Sequence, residues 1–361
     1  MKNLVIFYPS YERGGATKVL ENLIYYCAKK NIKLYIIINK NLKYNKNILY
    51  IKISNRFKFI RSRFFSSLFG SIKLIKILSK LNTNKTRVLS MQSNLFSSLI
   101  SKIFNFKIAI RVSEDPCGAT KYADKKLISY VVLLSKLLTY NLANKIIVNS
   151  KKSFLCTQKF CLNKKKVKIL YNPSLKKITK FKKRNNKKVF LNIGRYCKQK
   201  NQQLLIRSFA NFIKKEKNYK IIFIGDGPDK IKLLQLVKDL NIKQNISFKN
   251  WNSNLISYFK KSSAFILTSL YEGMPNVLIE AINYNVPSVA TNVSGVSDLL
   301  KNGKGGKILK GFEQLELERT LFQLTKNYNY FNDKTKIAKK YLYRFEIKNA
   351  SKKYINFLNG I

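Results

Sequence analysis

Two glutamates, Glu272 and Glu280, have the types and the spacing that most directly predict chemistry, in the stretch EGMPNVLIEA. Acidic residues are scarce, with 17 Asp and Glu against 71 Lys and Arg among 361 residues. Pro275 suits the first positions of a helix, which would begin between the two glutamates. The free N–H groups of that helix, from about Met274 to Val277, would attract an anion or a sugar hydroxyl. The alternative is one capping glutamate and one solvated glutamate.

Two cations, Arg195 and Lys200, follow an apolar strand in the stretch NIGRYCKQKN. A guanidinium binds a phosphate through its planar fork, and an ammonium binds it as a point charge, so the two residues could hold a diphosphate. In a chain this rich in lysine, the alternative is a solvated pair.

Glycine turns follow two further strands. Gly14 and Gly15 lie in YERGGATKV before a helical pattern, and Gly225 and Gly227 lie in IFIGDGPDK. Glycines let backbone N–H groups approach a phosphate closely, and a helix N-terminus adds partial positive charge. The alternative is an ordinary tight turn at each place, with Asp226 forming the second turn or capping a helix.

The elements that must position these residues alternate between short apolar strands and helical patterns, which indicates an α/β fold with parallel sheets. The predicted strands of the first half are Leu4–Tyr8, Leu34–Ile38, Ile48–Ile53, Arg87–Met91, Ile108–Val112, Ile146–Val148 and Val167–Leu170. Those of the second half begin at Val189 and continue with Lys220–Ile224, Ile246–Phe248, Ala264–Thr268 and Pro287–Thr291. The pattern predicts two doubly wound, Rossmann-like sheets, with ligands at the carboxyl ends of the strands in a cleft between two domains.

The boundary between the domains is predicted in the stretch 172–188, NPSLKKITKFKKRNNKK, which is rich in lysine and has no apolar periodicity. It separates a first domain, residues 1–175, from a second domain, residues 176–335. Residues 336–361 have a helical pattern with several aromatic side chains. We expect this tail to pack back on the first domain.

The composition excludes several kinds of site. The chain has no His, which rules out a His general base, a His metal ligand and a Ser-His-Asp triad. Its five cysteines are odd in number and form no CxxC pair, which argues against a disulfide framework or a zinc site and favours a reducing cytoplasm.

The opening stretch MKNLVIFYPS is predicted to be a buried strand rather than a signal peptide. No apolar run reaches the roughly 20 residues that span a bilayer.

The formal net charge of +54 predicts a surface that attracts polyanions. Residues 55–81, NRFKFIRSRFFSSLFGSIKLIKILSKL, interleave Arg and Lys with aromatic and aliphatic residues and contain no acid. Such a segment is typical of an interfacial helix on an anionic membrane. An ordinary amphipathic helix with solvated lysines is the equal alternative.

Taken in order, these motifs resemble the retaining GT-B glycosyltransferases, specifically glycosyltransferase family 4. The most diagnostic element is the Glu-x7-Glu of YEGMPNVLIEA, followed by the strand VPSVAT and the glycine of NVSGVSDLL. GRYCKQKN resembles the family's Gly-Arg...Lys phosphate grip, FIGDGP its second-domain turn, and RGGATKVLENL its first glycine loop.

The resemblance implies transfer of a hexose or an N-acetylhexosamine from a nucleoside diphosphate sugar, with UDP-sugars favoured, to a lipid-linked, lipopolysaccharide or polysaccharide glycan. Arg195 and Lys200 would hold the diphosphate, Glu280 the ribose hydroxyls, and Glu272 the transferred sugar. No metal and no other cofactor is implied, and the expected location is the cytoplasm or its membrane face. The backbone positions expected to complete the donor site are Gly14, Gly15, Gly225, Met274, Pro275, Asn276 and Val277.

One departure concerns the first domain. Many family members carry a His after a strand there, whereas IAIRVSEDPCGA offers Arg111, Ser113, Glu114 and Asp115. This Arg-x-Ser-x-x-Pro pattern resembles a subgroup met among enzymes that use UDP-hexose or UDP-N-acetylhexosamine donors. Glu114 is a candidate residue on the acceptor side.

Two other functions stay open at this point. A GT-B epimerase or phosphorylase would share the fold, although the Glu-x7-Glu pattern favours transfer. A basic nucleic-acid-binding protein would share the charge, but the sequence shows neither base-stacking aromatics on a recognised fold nor a helix-turn-helix signal.

Overall fold

The computed structural model describes residues 1–12, 14–30, 32–40, 48–53, 63–123, 126–181, 188–251 and 254–361. The chain divides into two compact units, the first formed by Met1–Lys176 with Phe345–Ile361 and the second by Lys177–Arg344. Residues 55–62 of the predicted interfacial segment lie outside the described residues.

The first unit contains a parallel sheet with seven strands in its described part. Its strands are Asn3–Phe7 (β1), Lys33–Ile38 (β2), Ile48–Lys52 (β3), Thr86–Ser90 (β4), Ile108–Val112 (β5), Lys145–Val148 (β6) and Val167–Ile169 (β7). Its helices up to this point are Gly15–Cys27 (α1), Arg63–Leu78 (α2), Asn94–Ile103 (α3), Pro116–Lys121 (α4), Lys126–Leu142 (α5) and Lys151–Gln158 (α6). The strand order is β3-β2-β1-β4-β5-β6-β7.

Strands β1, β2 and β5 are mostly apolar because helices cover both faces of the sheet. All five residues of β5 are buried. On one face, Leu20 and Leu23 of α1 pack into one core, and on the other, Leu74 of α2 and Ile100 of α3 pack into a second.

The second unit contains a six-stranded parallel sheet within the described residues, with the order β10-β9-β8-β11-β12-β13. Its strands are Val189–Ile193 (β8), Lys220–Ile224 (β9), Ile246–Lys249 (β10), Ala264–Leu267 (β11), Ser288–Thr291 (β12) and Lys307–Leu309 (β13). Its helices are Gln202–Lys215 (α7), Lys230–Asp239 (α8), Ile256–Lys261 (α9), Asn276–Asn283 (α10), Val296–Leu299 (α11), Gln314–Lys326 (α12) and Tyr328–Lys339 (α13). The predicted α/β fold with two doubly wound sheets is confirmed.

The C-terminal segment differs in detail from the prediction. The helical pattern predicted for residues 336–361 is broken by a 3-10 turn at Leu342–Phe345 between α13 and a last helix, Ile347–Asn359 (α14). Residues 336–344 belong to the second unit, and the first unit resumes at Phe345. Tyr354 and Leu358 of α14 are buried in the same core as α1.

Candidate active site

The candidate site lies where β8 and β11 end side by side in the second sheet. These two strands are hydrogen-bonded neighbours, and the chain leaves them towards opposite edges of the sheet, through α7 to β9 and through α10 to β12. Ligands of open parallel sheets bind outside the carboxyl ends of the strands at such a reversal of order. The loop 194–201 follows β8 and carries Arg195 and Lys200, and the loop 268–275 follows β11 and carries Glu272.

A buried side chain strengthens the junction of these strands. Their backbone pairing aligns Phe190 with Ala264 and Leu191 with Phe265. Beyond it, the Asn192 amide donates a 2.8 Å hydrogen bond to the Ile266 carbonyl. This polar residue in an apolar strand therefore keeps the two strand ends together where the loops begin.

An ion pair joins the two loops. The Nζ of Lys200 contacts the Oε1 of Glu272, and only 19% and 9% of the two side chains are exposed. The Ser269 hydroxyl donates to the same oxygen at 2.7 Å. The Oε2 of Glu272 accepts no hydrogen bond from the described part of the chain. Because an ammonium has three N–H donors and the carboxylate keeps a free oxygen, both groups retain capacity for a polar ligand.

Three further hydrogen bonds tie the loops to each other. The Leu270 N–H donates to the Gln199 carbonyl at 2.8 Å, and the Gln199 amide donates to the Tyr271 carbonyl at 3.0 Å. The Thr268 hydroxyl donates to the Lys200 carbonyl at 3.1 Å. The ion pair is thus held between two loops whose backbones are fixed relative to each other.

Helix α10 presents its N-terminus directly after Glu272. Pro275 is the N-cap residue in an extended conformation, and no side chain caps the helix. The N–H groups of Met274 and Val277 have no acceptor within the described residues, so they are available to an anion. Glu280 is half-buried one turn further along α10. Asn276, which was predicted to contact the nucleotide-sugar donor, is the first residue of α10.

Close backbone approach explains two glycines beside the site. A Cβ at Gly225, which follows β9, would lie 1.9 Å from the carbonyl oxygen of Gly194. Gly295 has a φ of +79°, and a Cβ there would lie 2.7 Å from the carbonyl oxygen of Gly273. Both glycines let neighbouring loops pack against the backbone of the site.

Arg195 is exposed and lies at the start of the loop 194–201 that follows β8. Its carbonyl accepts a 3.0 Å hydrogen bond from the Gln202 amide. Its guanidinium makes no hydrogen bond or ion pair with the part of the chain that the structure describes. The side chain is therefore free to bind an anion.

The glycine loop of the first unit, unlike Gly225 and Gly295, does not pack closely against neighbouring backbone at Gly14. Gly14 precedes α1 with an extended backbone, and a Cβ there would meet nothing within 4 Å. Gly15 is the first residue of α1, whose N-terminal turn is held by a 2.7 Å hydrogen bond between the Tyr8 and Thr17 hydroxyls. Packing does not require glycine at position 14, and a role of this loop in donor binding stays a prediction.

The four residues of the Arg-x-Ser-x-x-Pro pattern differ in burial. The Arg111 guanidinium is buried and donates to the Tyr354 hydroxyl at 3.3 Å, to the Asn172 side chain at 2.8 Å and to the Ser113 hydroxyl. Asp115 is buried and caps α4. Glu114 is exposed. Of the four residues, Glu114 is the most exposed, and its role on the acceptor side stays a prediction.

One disulfide contradicts the prediction that the cysteines form no disulfide framework. Cys117 and Cys156 form a disulfide with their Cα atoms 6.1 Å apart, and they join α4 to α6. These helices pack against each other in the folded unit, and a separation of 39 residues gives no sign of that proximity. The Asp115 carboxylate lies close to both sulfurs, but sulfurs that are bonded to each other are not thiolate ligands, so we assign no metal there.

Three residues that support the ion pair and its loops were not predicted. Ser269, Gln199 and Asn192 each lie in or beside a predicted motif. The hydroxyls in TSLYE directly after a predicted strand were the available signal for Ser269. The amide roles of Gln199 and Asn192 depend on the strand order.

Comparison with known proteins was consistent with this geometry. Residues 174–341 match the family Glycosyl transferases group 1. The chain is 32% identical over 248 residues to an uncharacterized glycosyltransferase of Methanocaldococcus jannaschii, and this alignment spans 60% of each protein. It is 27% identical over 332 residues to the Campylobacter jejuni enzyme N-acetylgalactosamine-N,N'-diacetylbacillosaminyl-diphospho-undecaprenol 4-alpha-N-acetylgalactosaminyltransferase, over 90% of this chain and 89% of that one.

Among solved structures, Anabaena HepE in complex with UDP and glucose has the same fold, with a TM-score of 0.79, 15% identity and full coverage of both chains. The expected GT-B fold is confirmed. The matched domain and the relatives support a GT-B glycosyltransferase.

Proposed function

We propose that the chain is a retaining glycosyltransferase that needs no divalent metal and moves a hexose or an N-acetylhexosamine from a UDP-sugar to a lipid-linked, lipopolysaccharide or polysaccharide glycan. The observation that carries this proposal is the Lys200–Glu272 ion pair at the junction of β8 and β11, inside the segment that matches Glycosyl transferases group 1. It combines a cation for a diphosphate with a carboxylate for a sugar at the position where such sheets bind ligands.

The donor diphosphate would be bound by fixed positive groups. Arg195 offers an unengaged guanidinium, Lys200 offers the remaining N–H donors of its ammonium, and the N-terminus of α10 offers the N–H groups of Met274 and Val277. Negative charge grows on the diphosphate as the glycosidic C–O bond breaks, and preorganised cations and amides stabilise that charge most in the transition state. With these positive groups in place, the reaction would need no divalent metal.

The sugar and the ribose would be bound by the two glutamates. The free Oε2 of Glu272 can accept a hydrogen bond from a hydroxyl of the transferred sugar, while Lys200 and Ser269 hold Oε1. Glu280, half-buried on α10, would accept hydrogen bonds from the ribose hydroxyls. The HepE structure with UDP and glucose supports a UDP-sugar as the donor class.

Retention of the anomeric configuration would follow a same-face substitution. The acceptor hydroxyl oxygen bonds to the anomeric carbon while the bond from that carbon to the diphosphate oxygen breaks, and the departing oxygen takes the hydroxyl proton. A double displacement would need a carboxylate nucleophile, as in retaining glycosidases. The carboxylate of Glu272 is engaged by Lys200 and Ser269, which suits a binding role better than nucleophilic attack.

The acceptor would be a glycan at the cytoplasmic face of a membrane. The Campylobacter jejuni relative is named for a diphospho-undecaprenol-linked acceptor, which supports a lipid-linked substrate. The segment 55–81 would contact anionic lipid, and in its described part α2 exposes Phe64, Leu68, Ile72 and Ile75. A specific nucleic-acid partner is not part of the proposal.

Release of UDP tests the reaction. Purified protein is incubated with UDP-glucose, UDP-galactose, UDP-N-acetylglucosamine or UDP-N-acetylgalactosamine and a chloroform–methanol lipid extract. We expect UDP release and an α-linked product with one donor, reduced about 100-fold in Glu272→Gln because a positioned charge is lost. The matched control is Glu313→Gln, at the exposed N-cap residue before α12, and it should keep full activity. No UDP release with any of the donors would contradict the proposal.

A further inference from the structure

Helix α5 carries an apolar stripe on its outer surface. Leu127, Tyr130, Val131, Leu134 and Leu138 are each between 61% and 79% exposed. Their spacing of three or four residues places them on one face of the helix, and we refer to these five residues as the α5 stripe. A helix of a soluble domain normally turns such a face to the core, so large apolar side chains left on the surface mark an interaction site.

The other side of α5 already packs on the first unit. Tyr140 is buried in the core that also contains Leu74 of α2 and Ile100 of α3. Burial lowers the pKa of Lys136, and the nearby carboxylates of Glu114 and Asp115 oppose that shift. The Lys136 ammonium therefore interacts with Glu114 and Asp115 of the same unit. The five residues of the α5 stripe are uncharged.

A basic cluster adjoins the C-terminal end of the stripe. Leu162 is 92% exposed, and its N–H donates to the Asn141 side chain at 2.9 Å. At the end of α5, the Lys166 ammonium donates to the carbonyls of Asn141 and Ala143, each at 3.1 Å. Lys164 and Lys165 are exposed beside Lys166 in the sequence. The sequence contains no Asp or Glu between Asp124 and Glu216.

Neighbouring helices of the same unit also expose apolar side chains. Helix α3 packs against both α5 and α2, and all three contribute to the same core. Ile103 of α3 is strongly exposed, and Phe64 of α2 is also exposed and contacts Phe96 of α3, with ring centroids 6.4 Å apart. The stripe is thus one part of a layer of helices with exposed apolar side chains.

We propose that the α5 stripe is a membrane-docking surface, which enters the headgroup region of an anionic bilayer while Lys164 and Lys165 contact the lipid phosphates. Apolar side chains beside exposed lysines complement the acyl boundary and the negative surface of such a membrane, and no acidic residue follows in the sequence from the stripe through the lysine cluster. A second copy of the chain would bring the same basic surface against this one, and the like charges would repel. No described helix is long and apolar enough to cross a bilayer, so the contact lies in the membrane surface.

Flotation with lipid vesicles tests this surface in the full chain. One vesicle set is phosphatidylcholine alone, and the other contains one quarter phosphatidylglycerol. Binding is measured at about 0.15 M and about 0.5 M salt, because salt weakens purely electrostatic adsorption. The test variant is Leu134→Glu with Leu138→Glu. The matched control is Ile231→Glu with Leu315→Glu, which adds the same charge at exposed apolar positions of the second unit.

We expect binding to the anionic vesicles that partly survives the higher salt. The stripe variant should lose more than about tenfold in vesicle affinity, since two apolar side chains no longer leave water, whereas the control should change less than about twofold. In a Trp251→Phe background, which removes the single tryptophan of the chain, Tyr130→Trp should shift its fluorescence emission to the blue on vesicle binding.

Two results would overturn the inference. Equal vesicle binding by both double variants would show that the net charge alone attracts the chain to lipid. A change of oligomeric state in the stripe variant, measured by light scattering, with unchanged vesicle binding would identify the stripe as a contact between copies. Neither result depends on sugar transfer, and UDP binding measured on the same preparations separates failure of this inference from failure of the proposed function.

Discussion

The ammonium of Lys200 and the carboxylate of Glu272 form a largely buried ion pair, although 72 positions separate them in the chain. The pair connects the loops that leave two adjacent strands at the point where the strand order reverses. Residues predicted to bind the diphosphate and the sugar therefore also bind each other, and each fixes the position of the other.

Removal of either partner should destabilise the second unit. Lys200→Ala leaves the Glu272 carboxylate buried without its counter-ion, for which we expect a loss of about 3 kcal/mol in the free energy of unfolding. Denaturant unfolding of Lys200→Ala, Glu272→Gln and the double variant measures the coupling between the two residues. The exposed Lys198→Ala is the control. Strictly additive effects of the two single changes would show that the ion pair does not form in solution.

The Ser269 hydroxyl should act as a positioning group for Glu272. Ser269→Ala removes its 2.7 Å hydrogen bond to Oε1, and we expect about a tenfold fall in kcat/KM for sugar transfer, since a hydrogen bond to a charged group is lost. The fall should appear in kcat more than in KM if the carboxylate acts on the transferred sugar in the transition state. Ser269→Thr keeps the hydroxyl and should restore most of the activity. An unchanged kcat in Ser269→Ala would contradict this role.

Gly225 should not tolerate a side chain. In Gly225→Ala the new Cβ would overlap the Gly194 carbonyl oxygen, 1.9 Å away, so the β8 and β9 loops must separate. We expect a loss of more than about 2 kcal/mol in the free energy of unfolding. Gly311→Ala, where a Cβ meets nothing within 4 Å, should stay within about 0.5 kcal/mol of the original chain. Equal stability of the two variants would refute the close backbone contact.

The cysteines should differ sharply in reactivity towards a thiol reagent. Burial raises the pKa of the Cys27 thiol to about 12, so almost no reactive thiolate exists at pH 8 in the folded chain. Cys161 is also buried, Cys117 and Cys156 are bonded to each other, and Cys197 is partly exposed. Without reductant, we expect fast labelling of Cys197 alone, identified by peptide mass spectrometry. Fast labelling of Cys27, or of Cys117 without reductant, would contradict the structure.

The fold was largely predictable because parallel strands buried on both faces give short apolar runs that are easy to recognise. Strand β13 was missed because its three residues lie between glycines and lysines, without a run long enough to detect. The break after α13 was missed because no proline or glycine marks it. It depends instead on burial of Leu342 and Phe345 and on the backbone pairing of Leu175 with Glu346.

The candidate site was predictable in its residue types but not in its connections. The sequence motifs pointed to Arg195, Lys200, Glu272 and Glu280, and all four lie on loops or helices that follow β8 and β11. The Lys200–Glu272 contact, the support from Ser269 and the Cys117–Cys156 bond each depend on packing between segments distant in sequence. Periodicity and local motifs carry no information about such contacts.

Calorimetric titration with UDP, GDP and ADP at moderate salt tests the central claim most directly. The titrations compare the original chain with Glu280→Ala and with Glu313→Ala, which removes the same charge from the exposed N-cap residue before α12. We predict selective binding of UDP that weakens about tenfold or more in Glu280→Ala, because ribose hydroxyls lose a charged acceptor, and that is unchanged in Glu313→Ala. Equal binding of the three nucleotides, insensitive to Glu280→Ala and abolished by salt, would instead identify a basic surface without a nucleotide-sugar site.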